Sequence, residues 1–231
     1  MHSHTRHRLD GFWAALFGPA VGTEAGRVVT HGLRLAGYPG VYAVRGDGRC
    51  FVSAPPALTS QVRQWAPDAD TVLDPCWWSD RLPGWQVLGP SEHSFLDHTS
   101  LLPEIVAARP ASGAEVRDAL LGRVVAADWS ESGFDSDVAN AWLLEDGTGR
   151  AVAAANLAVF DDVPADVGVL VAPDARRCGY ATAVAAAAAR FAVERHGIAR
   201  WRTLSTTSAS RAVATRLGFE LDCTQLAVRP A

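Results

Sequence analysis

The sequence predicts an α+β (mixed α/β) chain built in two parts, and three observations carry that prediction. Val167–Val171 is an apolar, β-branched run that leads past Pro173 and a basic, glycine-containing turn into a long Ala-rich helix. Two further apolar runs, Ala139–Leu144 and Ala151–Val159, flank Asp146-Gly-Thr-Gly149, a composition that predicts a hairpin. Finally, residues 103–114, with Pro103, Pro110 and Ala111-Ser-Gly-Ala, look like a linker. The expected domains are therefore a small N-terminal α+β domain over residues 1–105 and a second domain over 112–231.

Composition narrows the class. Hydrophobic residues make up 48% and charged residues 20%, which is the balance of a folded globular chain. The net charge is −4 and every basic side chain other than histidine is Arg, so no strongly basic face points to a nucleic-acid partner. The longest apolar stretch, Tyr180–Ala189, is too short to span a bilayer, and the residues before Asp10 lack the apolar core of a signal peptide. A soluble, cytoplasmic protein without a membrane partner is expected. Cys50, Cys76, Cys178 and Cys223 are widely separated and form no Cys-x-x-Cys pair, which predicts free thiols.

In the first half, Asp10 is placed to cap a short helix with Phe12, Trp13, Leu16 and Phe17 on one face. Val41–Val44 and Cys50–Val52 predict a hairpin turning at Gly46-Asp-Gly48. Pro55-Pro56 opens a helix that spaces Leu58, Val62 and Trp65 along one side. A Pro- and Trp-rich irregular stretch is expected to about Pro90, followed by a helical turn bringing His93 to Asp97. The tryptophans Trp13, Trp65, Trp77, Trp78 and Trp85 supply core area, Trp77-Trp78 included. His2, His4 and His7 fall on an expected floppy terminus, and no spacing in the chain predicts a metal site.

In the second half, helices are expected over Glu115–Leu121 and Ala126–Ser132, then the hairpin, then the strand ending at Val171. The chemistry begins where that strand meets its helix. The first backbone N–H groups of a helix have no partner within it, and the helix dipole adds positive potential there, so such an end suits phosphate. Gly179 lets the backbone approach an anion closely, Ala181 keeps the first turn open, and Arg176 and Arg177 add charge at the rim.

The pattern Arg176-x-x-Gly179-x-Ala181 after a Val-x-Pro strand end resembles the acyl-CoA pyrophosphate loop of the GNAT acetyltransferase superfamily. Downstream, the strand Trp201–Leu204 and a helix closing in Leu217-Gly218-Phe219 match a second hallmark of that family, so the resemblance covers about residues 112–231. It implies the GNAT fold in the C-terminal half and acetyl-CoA as co-substrate, with no metal. Arg176, Arg177, Cys178, Gly179, Tyr180, Ala181 and Thr182 would hold the pyrophosphate. The backbone of Val169, Leu170 and Val171 would pair with the pantetheine arm, and Thr207 stands where the family often has Asn. Cys178 departs from the basic residue that is frequent there.

The resemblance further implies direct attack by a primary amine of a small molecule or peptide on the thioester, without an acyl-enzyme. It is similar to bacterial members with an extra N-terminal region that helps wall the acceptor site. Asp166 and Glu131 are the candidate general bases. Ala214 occupies the position of the family's usual acidic tyrosine, and Ser210, one turn earlier, is the hydroxyl able to approach the sulfur. Without that tyrosine, an acyl-CoA-binding sensor or regulatory module with little turnover is the alternative. The oligomeric state stays open, a homodimer included.

Overall fold

The computed structural model describes residues 1–17, 27–46, 49–103, 108–159 and 165–231. They form two compact units: one takes Met1, Phe95–Trp201 and Ala209–Glu220, the other His2–Ser94, Arg202–Ser208 and Leu221–Ala231. Among the described residues no helix is long and apolar enough to cross a membrane.

The unit holding His2–Ser94 opens with helix α1 (Ser3–Phe17), which buries Leu9, Phe12, Trp13 and Phe17. Strands β1 (Arg27–Thr30), β2 (Val41–Gly46) and β3 (Arg49–Ala54) follow, then helices α2 (Pro56–Trp65) and α3 (Pro75–Arg81), and strand β4 (Trp85–Leu96). The final strand of the chain, β10 (Glu220–Pro230), lies between β2 and β4, giving the order β1-β3-β2-β10-β4. Strands β2 and β3 pair antiparallel from Tyr42–Ser53 to Gly46–Arg49, the hairpin expected from their apolar runs. The expected turn residues 47 and 48 lie outside the described residues. Val41, Val52, Val62, Trp78, Leu226 and Val228 belong to one buried cluster. Trp78 is fully buried, and its indole N–H donates to the Val72 carbonyl at 2.9 Å, so its polar atom is satisfied as burial requires.

Three expectations for this half are corrected. The terminus is helical from Ser3, so Asp10 lies inside α1 and does not cap it. Long-range anchors explain the order: Asp222 on β10 is buried and accepts from the Arg6 guanidinium, and from the Trp13 indole at 2.9 Å. The stretch expected to be irregular to Pro90 contains α3 and the first half of β4. Asp74 caps α3 by accepting from the Cys76 amide at 2.8 Å, with Pro75 at the first helical position. His93 is therefore on a strand, not a helical turn toward Asp97, and its ring meets Trp13 edge-on at 5.6 Å. Prolines and glycines masked a strand whose partners lie far away in sequence.

The other unit contains strand β5 (Arg109–Ala111), helices α4 (Gly113–Leu120) and α5 (Ala126–Glu131), and strands β6 (Asn140–Glu145), β7 (Ala151–Ala158) and β8 (Ala165–Val171). Helix α6 (Tyr180–His196), strand β9 (Ala199–Leu204) and helix α7 (Ser208–Arg216) complete the element order. Its sheet runs β9-β8-β7-β6-β5, antiparallel except for the β8–β9 pair. Strand β5 lies within the expected linker; as an edge strand beside β6 it tolerates Pro110, which has no ladder donor. The β6–β7 turn is built on Asp146, whose carboxylate accepts from the Thr148 hydroxyl at 2.6 Å and amide at 2.9 Å, and from the Arg150 amide at 3.2 Å. Helix α6 buries Val184, Ala185, Ala186, Ala188, Ala189 and Ala192, small side chains that let it lie close on β6, β7 and β8.

Candidate functional site

The loop between β8 and α6 is shaped by two consecutive changes of backbone hand. After a single turn at Pro173–Ala175, Arg176 is extended (φ −67°, ψ 156°), Arg177 is left-handed (φ 67°), and Gly179 is left-handed again (φ 83°) at the cap of α6. A non-glycine residue at positive φ is uncommon, so the Arg177 backbone carries strain that the surrounding loop must hold. The first bond of the helix joins the Ala183 amide to the Gly179 carbonyl at 3.1 Å, so the amides of Tyr180, Ala181 and Thr182 have no acceptor within the helix. No side chain caps this end, and a Cβ placed on Gly179 would meet nothing within 4 Å. An uncapped helix start with open space beside its glycine is suited to an anion.

The two arginines of the loop have different surroundings. Arg176 donates to Asp128 on α5 at 2.6 Å, so its charge is shared with a carboxylate instead of standing free at the rim. Arg177 is exposed, as is Cys178, whose thiol lies 3.6 Å from the Arg176 carbonyl. Asp174 accepts from Arg150 and Arg123, and the Arg150 hydrogen bond is the main cause that holds its carboxyl below the usual range.

Upstream, β8 pairs with β7 from Asp166 to Val171. Its parallel pairing with β9 consists, among the described residues, of Ala165 with Ala199 and Asp166 with Arg200. Beyond Asp166 the strand follows β7 alone, and Val169, Leu170 and Val171 lie in that diverging stretch. Backbone groups on such an edge need partners, and an extended ligand can supply them as an added strand would.

A family model described as an acetyltransferase (GNAT) domain matches residues 95–220, more than half of the chain. The chain belongs to the GNAT acetyltransferase family. Among solved structures it is similar to a GNAT-family acetyltransferase from Colwellia psychrerythraea, with 17% identity and a TM-score of 0.49 over 68% of this chain and 62% of that one. A GCN5-related N-acetyltransferase from Kribbella flavida has 20% identity and a TM-score of 0.46, covering 67% and 63%. A GCN5-related N-acetyltransferase-like protein from Streptococcus suis has 18% identity and a TM-score of 0.49, covering 82% and 83%. The chain thus spans less than two thirds of the Colwellia and Kribbella proteins. Membership rests on the domain match alone. No curated protein matches the chain.

For a GNAT acetyltransferase, the surroundings of the candidate catalytic groups matter most. Asp166 accepts from Arg200 at 3.0 Å and 2.8 Å, one bond to each carboxylate oxygen, with side-chain exposures of 14% and 10%. Both oxygens of this carboxylate are thus engaged by one planar guanidinium, a geometry that fixes its orientation. Glu131 is exposed at the C-terminal end of α5. Ser210 on α7 accepts from the Trp201 indole at 3.0 Å, which leaves its own hydroxyl proton free to donate elsewhere. Ala214 is buried and offers no hydroxyl. Thr207 belongs to the other compact unit, where its amide donates to the Leu204 carbonyl at 2.9 Å. Among the described residues no group of three or more His, Cys, Asp or Glu could hold a metal.

Sequence reasoning missed a lock behind the diverging strand. Asn156 on β7 is buried and donates to the Ser132 carbonyl at 2.8 Å, just past α5. A Cβ on Gly168 would lie 2.2 Å from that carbonyl and 2.4 Å from the Asn156 Oδ1, so only glycine fits. A glycine inside a β-branched run was the available signal, since strands accept one chiefly where another backbone comes close.

Proposed function

We propose that the protein is an N-acetyltransferase that uses acetyl-CoA to acetylate a primary amine of a small molecule or peptide. The observation that carries this reading is the uncapped, glycine-opened start of α6 at the end of a strand that parts from its parallel neighbour. The amides from Gly179 to Thr182 would hold the pyrophosphate, with the charges of Arg176 and Arg177 nearby, and Cys178 contributing its backbone only. The edge of Val169–Val171 would take the pantetheine. Acetyl-CoA supplies an activated thioester; an amide of β8 would polarise its carbonyl as an oxyanion-type donor.

The amine attacks directly, and its proton must leave through a base or water. With Asp166 occupied by Arg200, Glu131 is the freer of the two carboxylates for that role. Ser210 is the hydroxyl proposed to protonate the departing sulfur, its orientation set by the Trp201 N–H. The domain boundaries 1–105 and 112–231 remain part of this proposal, as do a cytoplasmic setting and a homodimer.

The reading is tested by incubating the protein with acetyl-CoA and a thiol-detecting reagent across a panel of amines. Amine-dependent release of CoA supports it. The missing hydroxyl at Ala214 favours a second reading, an acyl-CoA-binding sensor, whose signature is thermal stabilisation by acetyl-CoA without release of thiol. Absence of stabilisation removes both.

A further inference from the structure

We infer that Asp166 and Arg200 form the clasp that sets where β8 and β9 part, making both positioning residues for the coenzyme arm; this rests on the acetyltransferase reading above. The two residues are the last in-register pair of the parallel ladder, after Ala165 with Ala199. Two backbone pairs among the described residues are a short ladder, and parallel pairing is the weaker kind per residue. The side chains add two charge-assisted hydrogen bonds, at 3.0 Å and 2.8 Å, in the planar fork geometry that fixes direction as well as distance. Both side chains are largely screened from solvent, so the pair is held more firmly than one on an open surface.

What lies just beyond strengthens the inference. Two residues on, and hence on the same face of β8, Gly168 presses on the Ser132 carbonyl with no room for a Cβ. The strand is thereby pinned to Arg200 at one position and to the end of α5 at the next on that face. A strand fixed at both points presents its free edge at one spacing, which an arm inserted between β8 and β9 requires. An edge held at another spacing would lose backbone hydrogen bonds to the arm and so weaken its binding.

The test is a double-mutant cycle on the full chain with Asp166→Asn, Arg200→Gln and the pair together, each variant checked for a cooperative melt. Each single substitution is expected to raise KM for acetyl-CoA about 10-fold while kcat changes less than about 3-fold, and the double variant to be no worse than either single one. Should a single variant fail to fold, Arg200→Lys, which keeps the cation but not the fork, carries the same expectation, and Asp166→Glu should restore most of the loss. A fall in kcat of about 100-fold in Asp166→Asn, with KM unchanged and the acid limb of the pH profile gone while Arg200→Gln is silent, overturns the clasp and makes Asp166 the base. Additive effects or an unchanged KM also overturn it while leaving the acetyltransferase reading intact. If the native protein neither is stabilised by acetyl-CoA nor releases thiol, that reading itself fails and the clasp with it.

Discussion

Helices α4 and α6 begin within the same unit but finish their N-termini in opposite ways. At α4 the Ser112 hydroxyl accepts from the Glu115 amide at 3.1 Å, and Glu115 accepts in return from the Ser112 amide at 2.7 Å. That backbone bond, the Ser112 hydroxyl and Arg109 together hold the Glu115 carboxyl below the usual range. At α6 a left-handed glycine stands where the serine would be, and no side chain reaches the free amides. One end is thus closed by a reciprocal cap, while the longer helix starts without one. The cost is a less stable helix start, since a capping side chain contributes about 1 kcal/mol.

Closing the open end is the strongest way to break this contrast. Gly179→Glu should lower acetyl-CoA affinity by about 100-fold or more, because it sets a carboxylate where the pyrophosphate is proposed to bind. The variant should still fold, as its Cβ meets no neighbour and the left-handed backbone costs only about 1–2 kcal/mol. Calorimetric titration and a thermal melt separate the two effects, and normal affinity would contradict the placement of the site.

A smaller effect is expected behind the diverging strand. Gly168→Ala drives a methyl group into the Ser132 carbonyl, so the melt should show a loss of about 1–3 kcal/mol. A neutral result would mean that α5 is free to move away from β8.

Opening the closed end sharpens the comparison from the other side. Ser112→Ala should cost about 1 kcal/mol, or about 2–4 °C in Tm, without altering acetyl-CoA affinity. A change in affinity would show that the two helix starts are coupled.

Asp128→Asn releases Arg176 from its carboxylate. Acetyl-CoA should bind slightly more tightly, by less than about 3-fold, and the gain should shrink as salt is raised. Weaker binding would mean that Asp128 is needed to aim Arg176.

The least pronounced effect is a dependence on pH that tells the two units apart. Burial pushes the His31 imidazole below its usual range, opposed by its bond to the Gly40 carbonyl at 2.9 Å. The unfolded chain therefore takes up this proton more readily than the folded one. The resulting stability is complete above the ordinary imidazole value of 6.5 and is lost as pH falls from there through the lowered folded value. Glu115 behaves likewise near the carboxylate range: its contribution is present above 4.5 and lost below. Melts from above pH 6.5 to below pH 4.5 should show His31→Asn flattening the upper step and leaving the lower one unchanged.

Much of the fold was legible where structure is local. The hairpin at Asp146, the helices at Ser112 and Pro56, and the passage from β8 into α6 each depend on a few adjacent residues with a strong conformational bias. The misread segments are those whose order comes from afar. Residues 3–10 are helical with Asp222 of β10 holding Arg6 and Trp13, and β4 forms where proline and glycine argue locally for a loop. In the candidate site the anion cradle could be read from Gly179 and its neighbours. The lock of Asn156 on Ser132 could not, because an asparagine among alanines announces no partner 24 residues away.

By itself the sequence determined the hairpin at Asp146, the helix opened by Pro55-Pro56 and the passage from strand to helix at Gly179, because these follow from φ preferences and from hydrogen bonds spanning three or four residues. It could also name Asp166 as a chemically able carboxylate. Only the tertiary structure decided what that carboxylate meets: its two oxygens face Arg200, 34 residues on, at the last pair of the β8–β9 ladder among the described residues. Strand partnership is a long-range choice made by packing, so the partner of this side chain could not be read from residues adjacent to it.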